Sequence, residues 1–324
     1  MSKPDNDQGF AEAFKALQEK PDVDNFLVLC ETDDCGPPPV RILFPRFKED
    51  GPDIPKLAEW LCLQAVNFVI PIRKRKAAQQ AVAASATAAD MSFPARLAAE
   101  TRRAFLDYNA KYPHRASEVA ELLAYLLALR YLNAAQLASK MALKTNTNMP
   151  IHGLDGIHAS FQNGIMTLYF VEAKLAASAK SGTSDYVDSL AAFWLSRTQY
   201  LLENHILSDL GNLDALSDTH RDMALEYLDV YGTQSSQRLE RSIGVVCFSE
   251  TTHFNNKLPK GNSVAPSNHE KHYASNYSKE HGDLHAYVRE RLESKGIDPE
   301  ECELFYVAVP NVDKLRELFY EQLQ

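Results

Sequence analysis

Four residues carry the groups that metal-dependent hydrolysis of a phosphodiester bond requires. Asp155 is followed, after sixteen intervening residues, by Glu172, Ala173 and Lys174. This hydrolysis uses a hard cation held by oxygen ligands, and Mg²⁺ in proteins keeps several waters beside one or two carboxylates. We therefore expect Asp155 and Glu172 to bind a metal ion, with the backbone carbonyl of Ala173 as a further ligand. Lys174 would orient or deprotonate the attacking water.

The spacing of these residues predicts a β-hairpin that brings the two carboxylates together. Asn163 and Gly164 lie between two alternating segments, and both tolerate the positive φ of a type I′ turn. With these two as the loop, Asp155 lies directly opposite Glu172. Like charges opposed on neighbouring strands repel, so a bound cation, protonation of one carboxylate or a different register must relieve the pair. The alternative is an exposed strand end with an ordinary Glu–Lys pair.

A long helix is predicted before the hairpin, over residues 117–142. Ser117 is a good N-cap, Glu118 suits the positive end of the helix dipole, and leucines recur at helical spacing. Glu118 and Glu121 share one face of this helix. Glu121 lies among leucines, so it is the candidate for a third carboxylate ligand. Its alternative interpretation is a glutamate on the helix surface.

Basic residues provide weaker candidates for contact with a nucleic acid. Lys140 and Lys144, predicted at the end of the same helix, could contact phosphate, although cations also favour a helix C-terminus for its dipole. The basic run at 73–76 could bind DNA or a partner protein, or belong to a solvated linker.

Histidine pairs and cysteines are not expected to form a metal site. Cys30 and Cys35 have no second Cys or His pair close by in the sequence, as a zinc site would need. The histidines also lack suitable neighbours or, beside Asp155, are expected on the other face of the strand. These histidines are His152 and His158 beside Asp155, His269 with His272, and His281 with His285.

Composition limits the class of protein. The 324 residues are 45% hydrophobic and 24% charged, as in ordinary globular proteins. A net charge of −9 argues against broad, nonspecific affinity for nucleic acid. Five sparse cysteines indicate reduced thiols, and with a polar N-terminus unlike a signal peptide they favour a cytoplasmic location. The apolar runs are too short to span a membrane.

Strand and helix patterns alternate along the chain and predict an α/β fold with a mixed sheet covered on both faces. Residues 1–105 are expected to form an N-terminal α/β element with an Ala-rich connector, and residues 106–324 the domain that carries the motif. Within the first element, residues 53–70 have helical spacing followed by a strand-like end. Helices are predicted around 186–208 and 217–231, and a polar loop over 251–280. The chain then ends with a helix, a strand and an amphipathic helix.

Three segments together resemble the PD-(D/E)xK nuclease superfamily. They are "AELLAYLL", "KMALKTNTNMPIHGLDGIH" and "LYFVEAK", with further support from "LFYVAVPNVDKLRELF". More closely, the chain resembles the nuclease subunit (HamA-type) of the Hachiman anti-phage defence system. This resemblance covers residues 115–324.

The resemblance implies a restriction-endonuclease-like fold and cleavage of DNA that depends on Mg²⁺ or Mn²⁺. It implies Asp155, Glu172 and Lys174 as the catalytic core, and Glu121 as the helix glutamate. This chain has Ala120 where the family usually has glycine. It also implies a helicase subunit that holds the nuclease inactive until it meets damaged or phage-derived DNA.

Two other functions fit the same residues. One is a nuclease-like module that binds DNA or a partner but has lost hydrolysis. The other is a metal-dependent hydrolase that acts on RNA or nucleotides, because the motif specifies phosphodiester chemistry better than it specifies the sugar.

Overall fold

A mixed β-sheet forms the centre of the fold. The computed structural model describes residues 3–84, 90–111, 117–139, 154–196, 212–229, 231–258 and 264–324. Within these ranges the main sheet has seven strands, and a separate two-stranded ribbon lies beside it. The strands of the main sheet are β1 (Leu27–Leu29), β2 (Val40–Pro45), β5 (Ala135–Ser139), β6 (Gly156–Gln162), β7 (Ile165–Ala176), β8 (Arg238–Ser249) and β9 (Cys302–Val309), and those of the ribbon are β3 (Phe47–Lys48) and β4 (Gly51–Pro52).

The strand order in the main sheet is β1-β2-β9-β8-β7-β6-β5. The four central strands, β2, β9, β8 and β7, run parallel to one another. The outer strands β1, β6 and β5 pair antiparallel with their neighbours. The predicted fold class is confirmed.

Helices cover both faces of the sheet. The helices in the described ranges are α1 (Lys3–Lys15), α2 (Ile54–Val69), α3 (Ile72–Ala84), α4 (Ser92–Lys111), α5 (Glu118–Leu132), α6 (Ala179–Leu195), α7 (Asp218–Leu228), α8 (Thr252–Asn255), α9 (Pro266–Tyr277), α10 (His281–Ser294) and α11 (Val312–Leu323). The core on one face includes side chains from α1, α6, α7, α9 and α10, and we call this face the α6 face. The core on the other face includes side chains from α2, α4, α5 and α11, and we call it the α5 face. No helix in the described ranges is long and apolar enough to cross a membrane.

The predicted hairpin between β6 and β7 is confirmed. Asn163 and Gly164 have φ values of 53° and 78°, as a type I′ turn requires. Regular pairing begins at Gln162 with Ile165 and continues to Gly156 with Val171. The register is therefore the one that the Asn-Gly turn predicts.

The helix predicted over 117–142 is too long. The observed helix α5 ends at Leu132, because Asn133 adopts a left-handed conformation with φ 49°. Asparagine is one of the few residues that accept this conformation at a helix C-terminus. The chain then continues as strand β5, so the apolar residues at its end serve the sheet rather than a helix.

Two other predicted segments are wrong. The strand-like end of 53–70 is helical, because Phe68 and Val69 are buried by packing of α2 and this packing outweighs their intrinsic preference for strands. The loop predicted over 251–280 contains α8 and α9. In α9, proline occupies the first helical position, and Tyr273 and Tyr277, four apart, are buried.

The N-terminal strands belong to the main sheet. Strand β2 pairs in parallel with β9, near the other end of the chain, and β1 pairs with β2. The sheet therefore continues across the predicted division between 1–105 and 106–324. The helix, strand and amphipathic helix predicted near the C-terminus are confirmed as α10, β9 and α11. Helix α10 ends at Ser294, shortly before Gly296, whose φ is 70°.

Candidate active site

Asp155 lies where strand β6 begins and regular pairing with β7 stops. Its backbone N–H donates to the carbonyl of Val171 at 2.9 Å, which departs from the register of the ladder. Its side-chain Oδ2 accepts a hydrogen bond of 2.9 Å from the N–H of Ala173. Asp155 is therefore not paired with Glu172 in the ladder, and the prediction that these two residues lie directly opposite each other is wrong. Instead, its buried carboxylate bonds to the backbone of Ala173, the residue after Glu172 in β7.

Glu172 and Lys174 project from β7 to the α6 face. Phe170 and Ala176 of the same strand belong to the core on that face, and side chains alternate along a strand. Glu172 is 7% exposed. The Nζ of Lys174 donates to Glu172 Oε1 at 2.6 Å and to Ser189 Oγ, on α6, at 2.9 Å. The buried carboxylate thus has an ion-pair partner, as burial of charge requires.

Two glycines let α6 pack closely on the sheet next to this pair. A Cβ on Gly182 of α6 would lie 2.9 Å from the Cβ of Ala176 and overlap the side chain of Val246. A Cβ on Gly244 of β8 would lie 2.8 Å from the ring of Tyr186 in α6. These contacts set the height of α6 above β7.

The oxygen donors on this hairpin are of the kind that a hard divalent cation prefers. Asp155 and Glu172 supply two buried carboxylates. The N–H of Ala173 points toward Asp155 and away from β8, and the N–H and C=O of a strand residue lie on the same edge. The carbonyl of Ala173 therefore points to the same side as Asp155. Two carboxylates, one carbonyl and waters are a suitable set for Mg²⁺.

Glu121 lies in α5, on the other face of the sheet from Glu172 and Lys174. It is buried, and its Oε1 accepts a 2.9 Å hydrogen bond from Ser117, the residue before the helix. Burial raises the pKa of Tyr320, and the charges of nearby Glu118 and Glu121 raise it further. In the described part of the chain, no group of three or more His, Cys, Asp and Glu could hold a metal ion. A ligand role for Glu121 stays a prediction.

The candidate lysines and the basic run differ in what the structure describes. Lys140 and Lys144 lie outside the described residues, beyond the end of α5. Within the run at 73–76, three side chains form ion pairs inside the chain. These are Arg73 with Asp214, Lys74 with Glu100, and Arg75 with Glu19. The pairs favour a structural role for most of this run.

Several of the described histidines bond to backbone carbonyls within the chain. His281 and His285 of α10 bond through Nε2 to the backbone carbonyls of Val40 and Gly36, and so hold the turn before β2. His158 in β6 bonds through Nδ1 to the carbonyl of Ala134 at 3.1 Å. Because its ring is buried, the pKa of His158 falls from 6.5 to about 4. His152 lies outside the described residues.

Ser189 is the residue of this site that the sequence did not reveal. It is one of many serines, and it follows Lys174 on a separate helix with no recognisable spacing. Only the seating of α6 against β7 brings its hydroxyl to the ammonium of Lys174.

The fold and the site define a class: α/β proteins with a mixed sheet that carry two buried carboxylates, Asp155 and Glu172, and a partly exposed Lys174 on a β-hairpin. The model of the HamA family matches residues 21–323, and the chain belongs to this family. Membership assigns it to the Hachiman anti-phage defence system, which has more than one subunit. Comparison with curated proteins and with solved structures gives no match.

Proposed function

We propose that this chain is a metal-dependent deoxyribonuclease and the effector of a defence complex with a helicase subunit. One observation carries the proposal. The Asp155 carboxylate bonds to the N–H of Ala173, next to Glu172 and within the Glu-Ala-Lys segment. A purely structural strand end has no need of two buried carboxylates and a lysine at one position.

The residues divide the chemistry among them. Asp155, Glu172 and the carbonyl of Ala173 would hold Mg²⁺ or Mn²⁺, and the bound cation would stabilise negative charge that develops on the phosphate. Lys174 lies within hydrogen-bond distance of Glu172, so its Nζ is beside the proposed ligands. From there the Nζ would orient the attacking water or contact a phosphate oxygen.

Family membership and charge support the partner. The family belongs to a system with more than one subunit. With a net charge of −9, the chain has no general attraction for DNA, so delivery by a DNA-binding partner such as a helicase suits it. The test is co-purification with the helicase of the same system, and separate migration of the two proteins would reject the partnership.

A substrate panel tests the enzymatic part of the proposal. Plasmid DNA, linear duplex, single-stranded DNA and RNA are incubated with the chain, alone and with the helicase, in Mg²⁺ or in EDTA. We expect DNA cleavage in Mg²⁺ that EDTA abolishes and that Asp155→Asn removes. Cleavage of RNA alone would reassign the substrate.

The runner-up is a binding module without hydrolysis. The 2.6 Å ion pair between Lys174 and Glu172, and the absence of a three-ligand group among the described residues, are the observations that favour it. DNA or helicase binding that survives Asp155→Asn, with no cleavage under any condition, would establish this alternative.

A further inference from the structure

The ammonium of Lys174 is held between two acceptors of different kinds. Glu172 Oε1 lies 2.6 Å from Nζ, and Ser189 Oγ lies 2.9 Å from the same atom. One acceptor is a carboxylate that the proposed function also assigns to the metal ion. The other is a neutral hydroxyl on α6, a separate element of the fold.

The position of Ser189 is firmly set by packing. Helix α6 meets the sheet through Gly182, and Tyr186, one turn before Ser189, packs against Gly244 and donates a 2.8 Å hydrogen bond to Ser242 Oγ. Tyr186 and Leu190, on either side of Ser189, are fully buried. A hydroxyl on such an element has little freedom to move away from Lys174.

We propose that Ser189 is the positioning residue of Lys174, holding its ammonium in the direction of the active site. The inference rests on the proposed function. A cation at Glu172 competes with Lys174 for the same carboxylate, because both are positive. The cation prefers carboxylate oxygens to the neutral hydroxyl oxygen of Ser189. This hydroxyl therefore keeps its hydrogen bond to Nζ. Without it, a four-carbon side chain would sample several rotamers.

Three substitutions at Ser189 and one control test the role. Ser189→Ala removes the oxygen, Ser189→Cys keeps the size with a weakly accepting sulfur, and Ser189→Thr keeps the hydroxyl. The control is Ser184→Ala on the same helix, whose hydroxyl bonds instead to Tyr287 and to the carbonyl of Lys180. Thermal unfolding of each variant first shows that it is folded.

The first readout is cleavage kinetics together with metal binding. We expect kcat for DNA cleavage to fall about 10- to 100-fold in Ser189→Ala, as for other residues that orient a functional group. KM for DNA and the Kd for Mg²⁺, measured by calorimetry without DNA, should stay unchanged. Ser189→Thr should restore most of kcat, Ser189→Cys should lie between, and Ser184→Ala should match the wild type.

The second readout does not need activity. Acetylation of Lys174 by a soluble reagent, followed by mass spectrometry, should be several-fold faster in Ser189→Ala than in the wild type or in Ser184→Ala. Equal kcat and equal acetylation in Ser189→Ala and the wild type would overturn the inference. A wild type that cleaves nothing would instead reject the proposed function, while the acetylation rates would still decide whether Ser189 holds Lys174.

Discussion

Lowering the pH should destabilise the protein through His158 in strand β6. The ring is 2% exposed, and Nδ1 bonds to a carbonyl, so Nδ1 carries a hydrogen in the folded state. Burial lowers the pKa of His158 from 6.5 to about 4. The unfolded chain therefore binds a proton near pH 6.5, and the folded chain only near pH 4. The stability that this group contributes is complete above pH 6.5 and is lost as the pH falls toward 4.

The pKa difference sets the size of the effect. A gap of about 2.5 units corresponds to about 3 kcal/mol in total. Between pH 7 and pH 5 the expected loss is about 2 kcal/mol. Because the ring is buried, solvent screening does not reduce this figure appreciably.

Urea unfolding of the wild type and of His158→Gln at pH 7 and pH 5 measures this loss. Glutamine does not titrate, and its amide can donate to the carbonyl of Ala134. Carboxylates elsewhere contribute to both proteins and cancel in the comparison. Between pH 7 and pH 5, the free energy of unfolding should fall by about 2 kcal/mol more in the wild type than in the variant. The m-values should stay unchanged. Equal losses would refute a buried, neutral His158.

Three further predictions concern packing, the Asp155 contact and the thiols. Gly182→Ala should destabilise the protein by about 1–3 kcal/mol in urea unfolding, because overpacking at Val246 outweighs the better helix propensity of alanine, and a gain in stability would contradict the close contact. Asp155→Ala should cost about 1–3 kcal/mol by leaving the N–H of Ala173 unpaired, whereas Asp155→Asn keeps an acceptor and should cost less, and equal costs would contradict the bond. Thiol reagents should label the exposed Cys35 first in the native protein, because burial raises the pKa of the partly exposed Cys62 and raises the pKa of the three buried thiols to about 12. Rapid labelling of Cys30, Cys247 or Cys302, detected by mass spectrometry, would contradict their burial.

Local rules predicted the hairpin because its turn is chemically specific. Asn163 and Gly164 both accept positive φ, so the loop set the register of β6 and β7. The same rules missed the end of α5, because Asn133 stands in a run of helix-forming residues and only its left-handed backbone marks the boundary. They also misjudged α9, whose polar composition hides two buried tyrosines.

The candidate site was predictable in its residue types but not in its geometry. The ladder ends at Gly156 with Val171, one pair short of the predicted pairing of Asp155 with Glu172. The side chain of Asp155 instead accepts a hydrogen bond from the N–H of Ala173. No periodicity predicts that exchange. The contact between Lys174 and Ser189 depends on how closely α6 approaches the sheet, which is set by Gly182 on the same helix and by Gly244 in β8.

A matched pair of lysine variants tests whether Lys174 serves a metal-dependent cleavage of DNA. Lys174→Met and Lys180→Met each replace one ammonium; Lys180 lies on α6 over the ring of Tyr287, outside the site. Initial rates of plasmid cleavage are measured in Mg²⁺ for both variants and the wild type, with the helicase present and absent. We expect cleavage to be lost in Lys174→Met and retained in Lys180→Met. Cleavage by Lys174→Met at the wild-type rate would contradict a role of Lys174 in the reaction.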